Sequence, residues 1–522
     1  MRVMSCSLRT FCLTGLLALA GACTVGPSYR APPTNLPQSW DSAAHSAITA
    51  ADAPAPISSD GPIEEAWWKA FQDPMLERLE QRVVTQNLDV RTATLQLTAS
   101  RLEARITAGA LWPTLNGNAS YEREKASQQG LLSLFGSAGA GTTPGSEASG
   151  TFGSGAGGAP GSIATILSEP LSLWQYGFDA SWEIDLWGAA RRALQAARAT
   201  VQASQEDLRG VLIAQRAEVA RDYLTLRGVQ AQRAIVEATL VADRDTASIV
   251  ERRVNAGMTP QQDLISAQSE VDYVASQLPA LGQQEAQLIN ALSLLLGSPP
   301  DTLREELLAA VPPPATLPQV ALGMPSELAR RRPDIRGAEA KLQAATAQIG
   351  VAVAALYPSI TLTGSFGLQA LDFAKLGSWS ARQYALGPSL TLPLFEGGRL
   401  RGTVELRKVQ QQQAAIAYQQ TVLQAWHDIA NGLNAYAAEQ ERLRRLTRAA
   451  QQSDGALGIT TERYRSGIDP YLDVLTAQRT LLQYQLEAAQ SLPSAQSDLI
   501  QLYKALGGGW GEANSEALSA SE

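Results

Sequence analysis

Two periodicities divide this chain. Trp174, Tyr176, Phe178, Ala180, Trp182 and Ile184 interleave with Gln175, Gly177, Asp179, Ser181, Glu183 and Asp185. Leu115, Gly117, Ala119 and Tyr121 alternate with Asn116, Asn118, Ser120 and Glu122. The same alternation runs through Ile360 to Leu368 and, less cleanly, through Leu386 to Leu394. Period two predicts four strands, each with one apolar and one polar face. Elsewhere Ala, Gln, Arg, Glu and Leu dominate, all good helix formers. No proline occurs between Pro170 and Pro260 or between Pro393 and Pro470. A wholly helical Gly188–Val254 would span about 100 Å. Second helices are expected over 260–296 and 470–506, making antiparallel hairpins that turn at Gly257 and Gly467. Helices this long must lie in a bundle or coiled coil.

The chain is also written twice. Asp89-Val90-Arg91 recurs as Asp334-Ile335-Arg336, and Leu111-Trp112-Pro113-Thr114-Leu115 as Leu356-Tyr357-Pro358-Ser359-Ile360, at one common offset. Arg253-Val254, Gly257, Pro260, Asp263-Leu264 and Ala267-Gln268 match Arg463-Tyr464, Gly467, Pro470, Asp473-Val474 and Ala477-Gln478 at a shorter offset. The surplus in the first half is the Gly/Ser/Ala/Thr tract 136–161, which reads as a flexible loop. Each half therefore reads as a helical segment (64–111, 326–356), two strands and a long helical hairpin. The predicted organisation is a signal peptide 1–22, an anchored segment 23–63, repeats 64–300 and 326–510 around a linker 301–325, and a tail 511–522.

Composition narrows the function. Of 522 residues, 45% are hydrophobic and 18% charged, and the two histidines are His45 and His427. A histidine metal cluster or a Ser-His-Asp triad has almost nothing to be built from. A net charge of -8 disfavours nucleic acid, which prefers a basic face. No later run is long and apolar enough for a multi-span helical membrane protein. Arg2 and Arg9 precede the apolar run Phe11–Ala22, an export-signal pattern that ends Leu19-Ala20-Gly21-Ala22-Cys23. Small residues before Cys23 resemble a lipoprotein box, with Ala20 where Leu is usual, and Thr24 after the cysteine points to the outer membrane. Only Cys23 survives cleavage, so no intramolecular disulfide is available. Four strands leave two open edges, which a membrane does not tolerate, and membrane barrels need at least eight strands. Several copies would therefore pool their strands, and three copies give twelve.

Cys23-Thr24-Val25-Gly26-Pro27-Ser28-Tyr29, Trp67-Trp68 with Phe71 and Asp73-Pro74, Arg331-Arg332-Pro333-Asp334-Ile335-Arg336, Pro393-Leu394-Phe395-Glu396-Gly397-Gly398-Arg399 and Tyr503 to Trp510 together resemble the TolC-like outer-membrane factors. The branch resembled is the lipoprotein (NodT-like) one that serves resistance-nodulation-division (RND) efflux systems. The resemblance runs from Cys23 to Trp510. It implies a mainly α fold whose hairpins form an α-barrel, with four β-strands per protomer, an internal two-fold repeat and a homotrimeric twelve-stranded membrane β-barrel. The implied function is passive export of antibiotics and other small toxic compounds. The implied partners are a periplasmic adaptor protein, an inner-membrane RND transporter and outer-membrane lipid. No enzyme, cofactor or metal site is expected.

Several residues take roles from this reading. Cys23 is the lipid attachment site. Glu122, Asp179, Glu183 and Asp185 face the barrel lumen. Asp263, Arg463, Tyr464, Arg465 and Asp473 stand at the turns that close the tunnel at its periplasmic end. Family members often carry a further Asp where this chain has Thr476. The plainer reading of the acids is helix capping, with Thr259 and Asp469 as N-caps and Asp263 and Asp473 complementing the helix dipole. Rival functions are the same channel carrying metal cations or polypeptides, and a trimeric surface stalk without a duct. The stalk leaves the polar strand faces unexplained.

Overall fold

A computed structural model describes residues 24–31, 57–58, 66–125, 170–308, 317–318, 320–321 and 331–509. The signal segment, Cys23, the tract 136–161 and the tail 511–522 lie outside the described residues. The chain divides into two units. One contains the residues around the four long strands, and the other contains most of the helical sequence. Among the described residues no helix is long and apolar enough to cross a membrane.

The first unit holds one antiparallel sheet in the order β2-β3-β5-β6. Its strands are β2 (Thr114–Glu124), β3 (Leu171–Ile184), β5 (Ser359–Ala370) and β6 (Arg382–Thr391). A two-residue parallel pair, β1 (Ile57–Ser58) with β4 (Val320–Ala321), stands apart from it. Three of the long strands match the alternating stretches. The fourth is shifted: β6 begins earlier than the apolar alternation and stops before Leu392. Pro393 has no N–H for the ladder, so the Leu392-Pro393-Leu394 alternation continues off the sheet. Gly177 faces Gly367 in the central ladder, and a Cβ on Gly177 would come within 2.6 Å of the Phe366 carbonyl oxygen.

The second unit carries the repeat at equal lengths. Helices α3 (Ala189–Asn255) and α7 (Arg399–Arg465) have 67 residues each. Helices α4 (Gln261–Leu295) and α8 (Tyr471–Ala505) have 35 each. Gly257 and Gly467 take positive φ at the turns between them, where a Cβ would be strained. The leading helices of the halves, α2 (Leu88–Gly109) and α6 (Pro333–Ala354), have 22 residues each, and the short α5 (Arg304–Leu308) lies between the halves in sequence.

The expected single segment 64–111 is instead three pieces: a 3₁₀ turn Trp67–Phe71, α1 (Pro74–Gln86) and α2. Asp73 and Asn87 make the breaks. The Asp73 carboxylate accepts from the amides of Met75 and Leu76 at 2.8 and 3.2 Å and from the Tyr223 hydroxyl at 2.6 Å. The Asn87 side chain accepts from Val90 N at 2.9 Å and donates to the Leu295 carbonyl at 2.8 Å. Both residues cap a helix and tie it to a distant one.

The motifs that carry the resemblance meet in one core. Trp67 is buried and stacks on Tyr503 at 5.6 Å. Arg332 donates to the Ala505 carbonyl at 2.8 Å and pairs with Asp334 and Asp428. Arg216 lies over the Trp68 ring at 4.4 Å and donates to the Gly509 carbonyl at 2.5 Å. Its guanidinium is 3.7 Å from the fully buried Glu80, whose carboxyl is raised well above the usual range by burial, with Arg216 opposing. These motifs therefore tie residues 67–73 and 503–509 to α3 and to Arg332 at the start of α6.

Candidate functional site

The register of the sheet sorts its side chains into two faces. Directly paired residues share a face, so Leu115, Tyr121, Tyr176, Phe178, Leu362, Phe366, Leu386 and Leu390 lie on one side. Most of these are exposed, Leu386 by 80%. A water-facing sheet does not carry such a surface without a partner. Aromatic rings bracket it. Near one end Tyr121 and Trp174 lie 4.2 Å apart, with Phe373 at 4.9 Å from Trp174. Near the other end Trp182 donates to the Leu111 carbonyl at 3.1 Å, and Trp187 donates to the Pro358 carbonyl at 2.7 Å while stacking on Tyr357. Trp174 and Trp182 are eight residues apart in β3, roughly 26 Å. At the 35–45° tilt of a barrel strand that run spans about 20 Å of height, most of the roughly 25 Å apolar band between the aromatic girdles of a membrane barrel.

The opposite face is polar. It carries Asn116, Asn118, Gln175, Thr361, Thr363, Ser365 and Gln383. Glu122, Asp179 and Glu183 share it, and Asn118 donates to Asp179 at 2.6 Å. No Lys or Arg of the four strands lies on this face. Asp185 is placed differently. It follows the end of β3, and its carboxylate accepts from the amides of Ala190 and Arg191 and from the Arg191 guanidinium. It caps the start of α3 and is not a sheet-face residue.

At the hairpin tips the structure brings Arg463, Tyr464 and Arg465 to the second turn and adds Arg253 from the first. Arg463 makes a two-pronged pair with Asp469 at 2.7 and 2.8 Å. These bonds hold the Asp469 carboxyl below its usual range, with the Arg463 charge acting the same way. Asp469 is thus an ion-pair partner, and the N-cap position of α8 belongs to Pro470. Pro260 likewise replaces Thr259 as the N-cap of α4. Asp263 and Asp473 stand in the first turns of α4 and α8, half-buried and exposed respectively. Thr476 turns its hydroxyl back to the Leu472 carbonyl at 2.8 Å. The Arg465 guanidinium lies 3.8 Å from Glu462 of its own helix.

Arg253 was not singled out by the sequence, although the repeat aligns it with Arg463. The difference lies in its partner: the position matching Asp469 is Thr259. Without a carboxylate on its own turn, Arg253 reaches the other hairpin. It donates to the Tyr464 carbonyl at 3.0 Å and the Arg465 carbonyl at 2.9 Å, and lies 4.5 Å from the Tyr464 ring centre. The Tyr464 ring is buried against Val250, Tyr471 and Val474, and its hydroxyl has no partner. Arg253 is the tether between the tips.

Further along the hairpin two acids are buried. Asp243 is 5% exposed, and neither of its oxygens has a hydrogen-bond partner among the described residues. Burial raises its carboxyl to about 6, with the Glu270 charge adding to the effect. Glu270 is itself buried but is paired with Arg479 at 2.7 Å.

Residues 24–27 run beside the base of the sheet. Val25 N donates to the Trp187 carbonyl at 3.1 Å, and Arg192 reaches the Val25 carbonyl at 3.4 Å. A Cβ on Gly26, which has positive φ, would meet Gly350 Cα at 2.6 Å. Cys23 lies just outside the described residues.

A sheet with one apolar, aromatic-bracketed face and one polar, acidic face, joined in sequence to paired helical hairpins, is the protomer of an outer-membrane channel. The profile of the outer membrane efflux protein family matches residues 79–298 and 324–508, and the chain belongs to that family. It is 32% identical over 507 residues to outer membrane protein OprJ of Pseudomonas aeruginosa, covering 96% of each chain. It is 30% identical over 521 residues to the antibiotic efflux pump outer membrane protein ArpC of Pseudomonas putida, covering 98% and 99%. The outer-membrane channel OprN superposes with a TM-score of 0.78 at 30% identity, over 94% of this chain and 100% of that one. The chain is an outer-membrane efflux channel protein.

Proposed function

We propose that this chain is the exit duct of a tripartite RND-type pump, exporting antibiotics and other small toxic compounds passively. Three copies pool their strands into a twelve-stranded barrel, an inner-membrane RND transporter drives the flux, and a periplasmic adaptor joins the two. A lipid on Cys23 adds a second hold on the outer membrane, supported by the pinning of Val25 and Gly26 at the base of the sheet. The carrying observation is the sheet, open at β2 and β6, with an apolar face bracketed by aromatics and a polar face holding Glu122, Asp179 and Glu183. Barrel closure is the arrangement that satisfies both edges in lipid. The tips at Gly257 and Gly467 form the periplasmic gate, where Asp263 and Asp473 would each become a ring of three carboxylates. Like charges in a ring repel, so cations such as Arg463 are needed for closure.

Removing the chain from its own cell should raise accumulation of a fluorescent efflux substrate and of a fluoroquinolone several-fold, with restoration by the plasmid-borne gene. Unchanged accumulation of both, with only metal tolerance or protein secretion altered, would contradict the small-molecule assignment.

A further inference from the structure

The charges of the sheet are sorted by face and by end. The register carries Arg123 of β2 and Arg382 of β6 onto the apolar side. Among the described residues the four long strands hold no other Lys or Arg, and no Asp or Glu of those strands shares this face. Both arginines stand at the same end of the sheet. Arg123 pairs with Ser172 near the start of β3, and Arg382 opens β6 opposite Leu368. The strands connect to the helices at the other end, where Thr114, Ile184, Ser359 and Thr391 lie.

The two edge strands finish alike. Toward the helix-free end the apolar face shows Tyr121 and then Arg123 on β2, and Tyr384 and then Arg382 on β6. Each step is two residues, roughly 7 Å. All four side chains are exposed. The Arg382 guanidinium lies over the exposed Trp379 ring at 4.1 Å and donates to the Trp379 carbonyl at 3.3 Å, which fixes its place. Phe373, from the turn between β5 and β6, packs on Trp174 at 4.9 Å. An arginine on a lipid-facing surface is costly at the bilayer midplane and nearly free at its boundary. That explains why arginine is tolerated here, and a neutral polar residue would be tolerated equally. In a chain of net charge -8, two arginines and no acid on one rim make a surface complementary to anions. The guanidinium fork matches phosphate. Tyr and Trp rings suit the boundary between apolar chains and a polar headgroup.

We propose that this rim binds the phosphate groups of an outer-leaflet glycolipid, with Arg123 and Arg382 on the phosphates and Tyr121, Trp174, Tyr384 and Trp379 against the sugars and upper acyl chains. The inference rests on the channel reading, which sets the apolar face toward lipid and the helix-free end toward the cell exterior. Because β2 and β6 are the open edges of the sheet, barrel closure would bring Arg382 of one copy beside Arg123 of the next. A headgroup with two phosphates then meets two guanidinium forks at each junction. A lipid is the occupant, and not free phosphate, because the cations border an exposed apolar face. The polar face at the same level carries Glu122, which repels phosphate, so the site opens outward and not into the lumen.

Native mass spectrometry of the full-length protein, released from detergent with added lipid, tests it. Wild-type trimers should hold diphosphorylated lipid A roughly tenfold or more tightly than lipid A stripped of its phosphates. Inorganic phosphate should displace it no better than acetate of equal ionic strength. Arg123→Gln with Arg382→Gln should remove most of that preference. Arg123→Lys with Arg382→Lys should keep part of it, since the charge remains while the fork is lost. Wild-type trimers that hold both lipids equally would overturn the proposal whatever the variants do, and would leave the channel reading standing. Displacement by inorganic phosphate beyond the acetate control would also overturn it, as would a trimeric double glutamine variant with undiminished preference. Wild type that is monomeric in the same spectra would overturn the channel reading and the rim with it.

Discussion

Replacing Arg253 with alanine is expected to raise the resting conductance of the channel roughly a hundredfold in planar bilayers. Arg253 holds the two hairpin tips through charge-assisted bonds to the Tyr464 and Arg465 carbonyls and through its approach to the Tyr464 ring. Hydrogen bonds to a charged group contribute about 1.5–3 kcal/mol, and a partly exposed cation–π contact about 1. A net loss of about 3 kcal/mol changes an open-to-closed ratio by about two powers of ten. Tyr464→Phe should do little by itself, because the hydroxyl it removes has no partner among the described residues. Arg463→Ala should fall between the two, since it frees Asp469 and exposes the Asp473 charge without parting the hairpins. If Arg253→Ala stays as closed as wild type while its melting temperature drops, the arginine is a strut and the gate lies elsewhere.

Asp243→Asn is expected to stabilise the protein by about 1–3 kcal/mol at pH 7.5 and to leave it nearly unchanged at pH 4. The sign follows from the raised carboxyl. Asp243 faces Glu270 from α4 and Tyr471 from α8, with the Glu270 charge shared by Arg479. Burial and Glu270 both disfavour the ionised form, so the folded protein holds its proton up to about pH 6. The unfolded chain releases it near pH 4. The contribution of Asp243 to stability is therefore greatest below pH 4, falls as pH rises towards 6, and levels off above it. Asparagine keeps the shape and removes the charge, so melting temperatures of the variant should lose that slope. A variant that melts lower than wild type at pH 7.5 would show that Asp243 is ionised and paired in the assembled protein.

The sequence pattern carried the large features because each had a strong periodic signature. Four alternating stretches became one sheet, and the two proline-free runs became helices of equal length that turn at matched glycines. What escaped were local choices made by single polar side chains. Asp73 and Asn87 break a segment that reads as one helix, since their carboxylate and amide satisfy amides that the helix would otherwise have used. Asp185 fits the strand alternation by count, yet its carboxylate is committed to the start of α3. Asp469 looked like a cap, but a guanidinium six residues earlier outcompetes the backbone amides for it. Arg253 was visible only as a repeat-mate of Arg463. Its tether role could have been found by noticing that Thr259 stands where the second half has Asp469.

The central claim is that the polar sheet face lines a water-filled duct. That face carries Glu122, Asp179 and Glu183 and no Lys or Arg from the strands. The most direct test is single-channel recording across a salt gradient of the purified Arg253→Ala variant, whose tips the tether no longer holds closed. The account predicts discrete conductance steps whose reversal potential has the sign of cation preference, reduced by Asp179→Asn and Glu183→Gln together. Protein that inserts into the bilayer as a trimer yet yields no steps, or steps with anion preference unchanged by those substitutions, would contradict it.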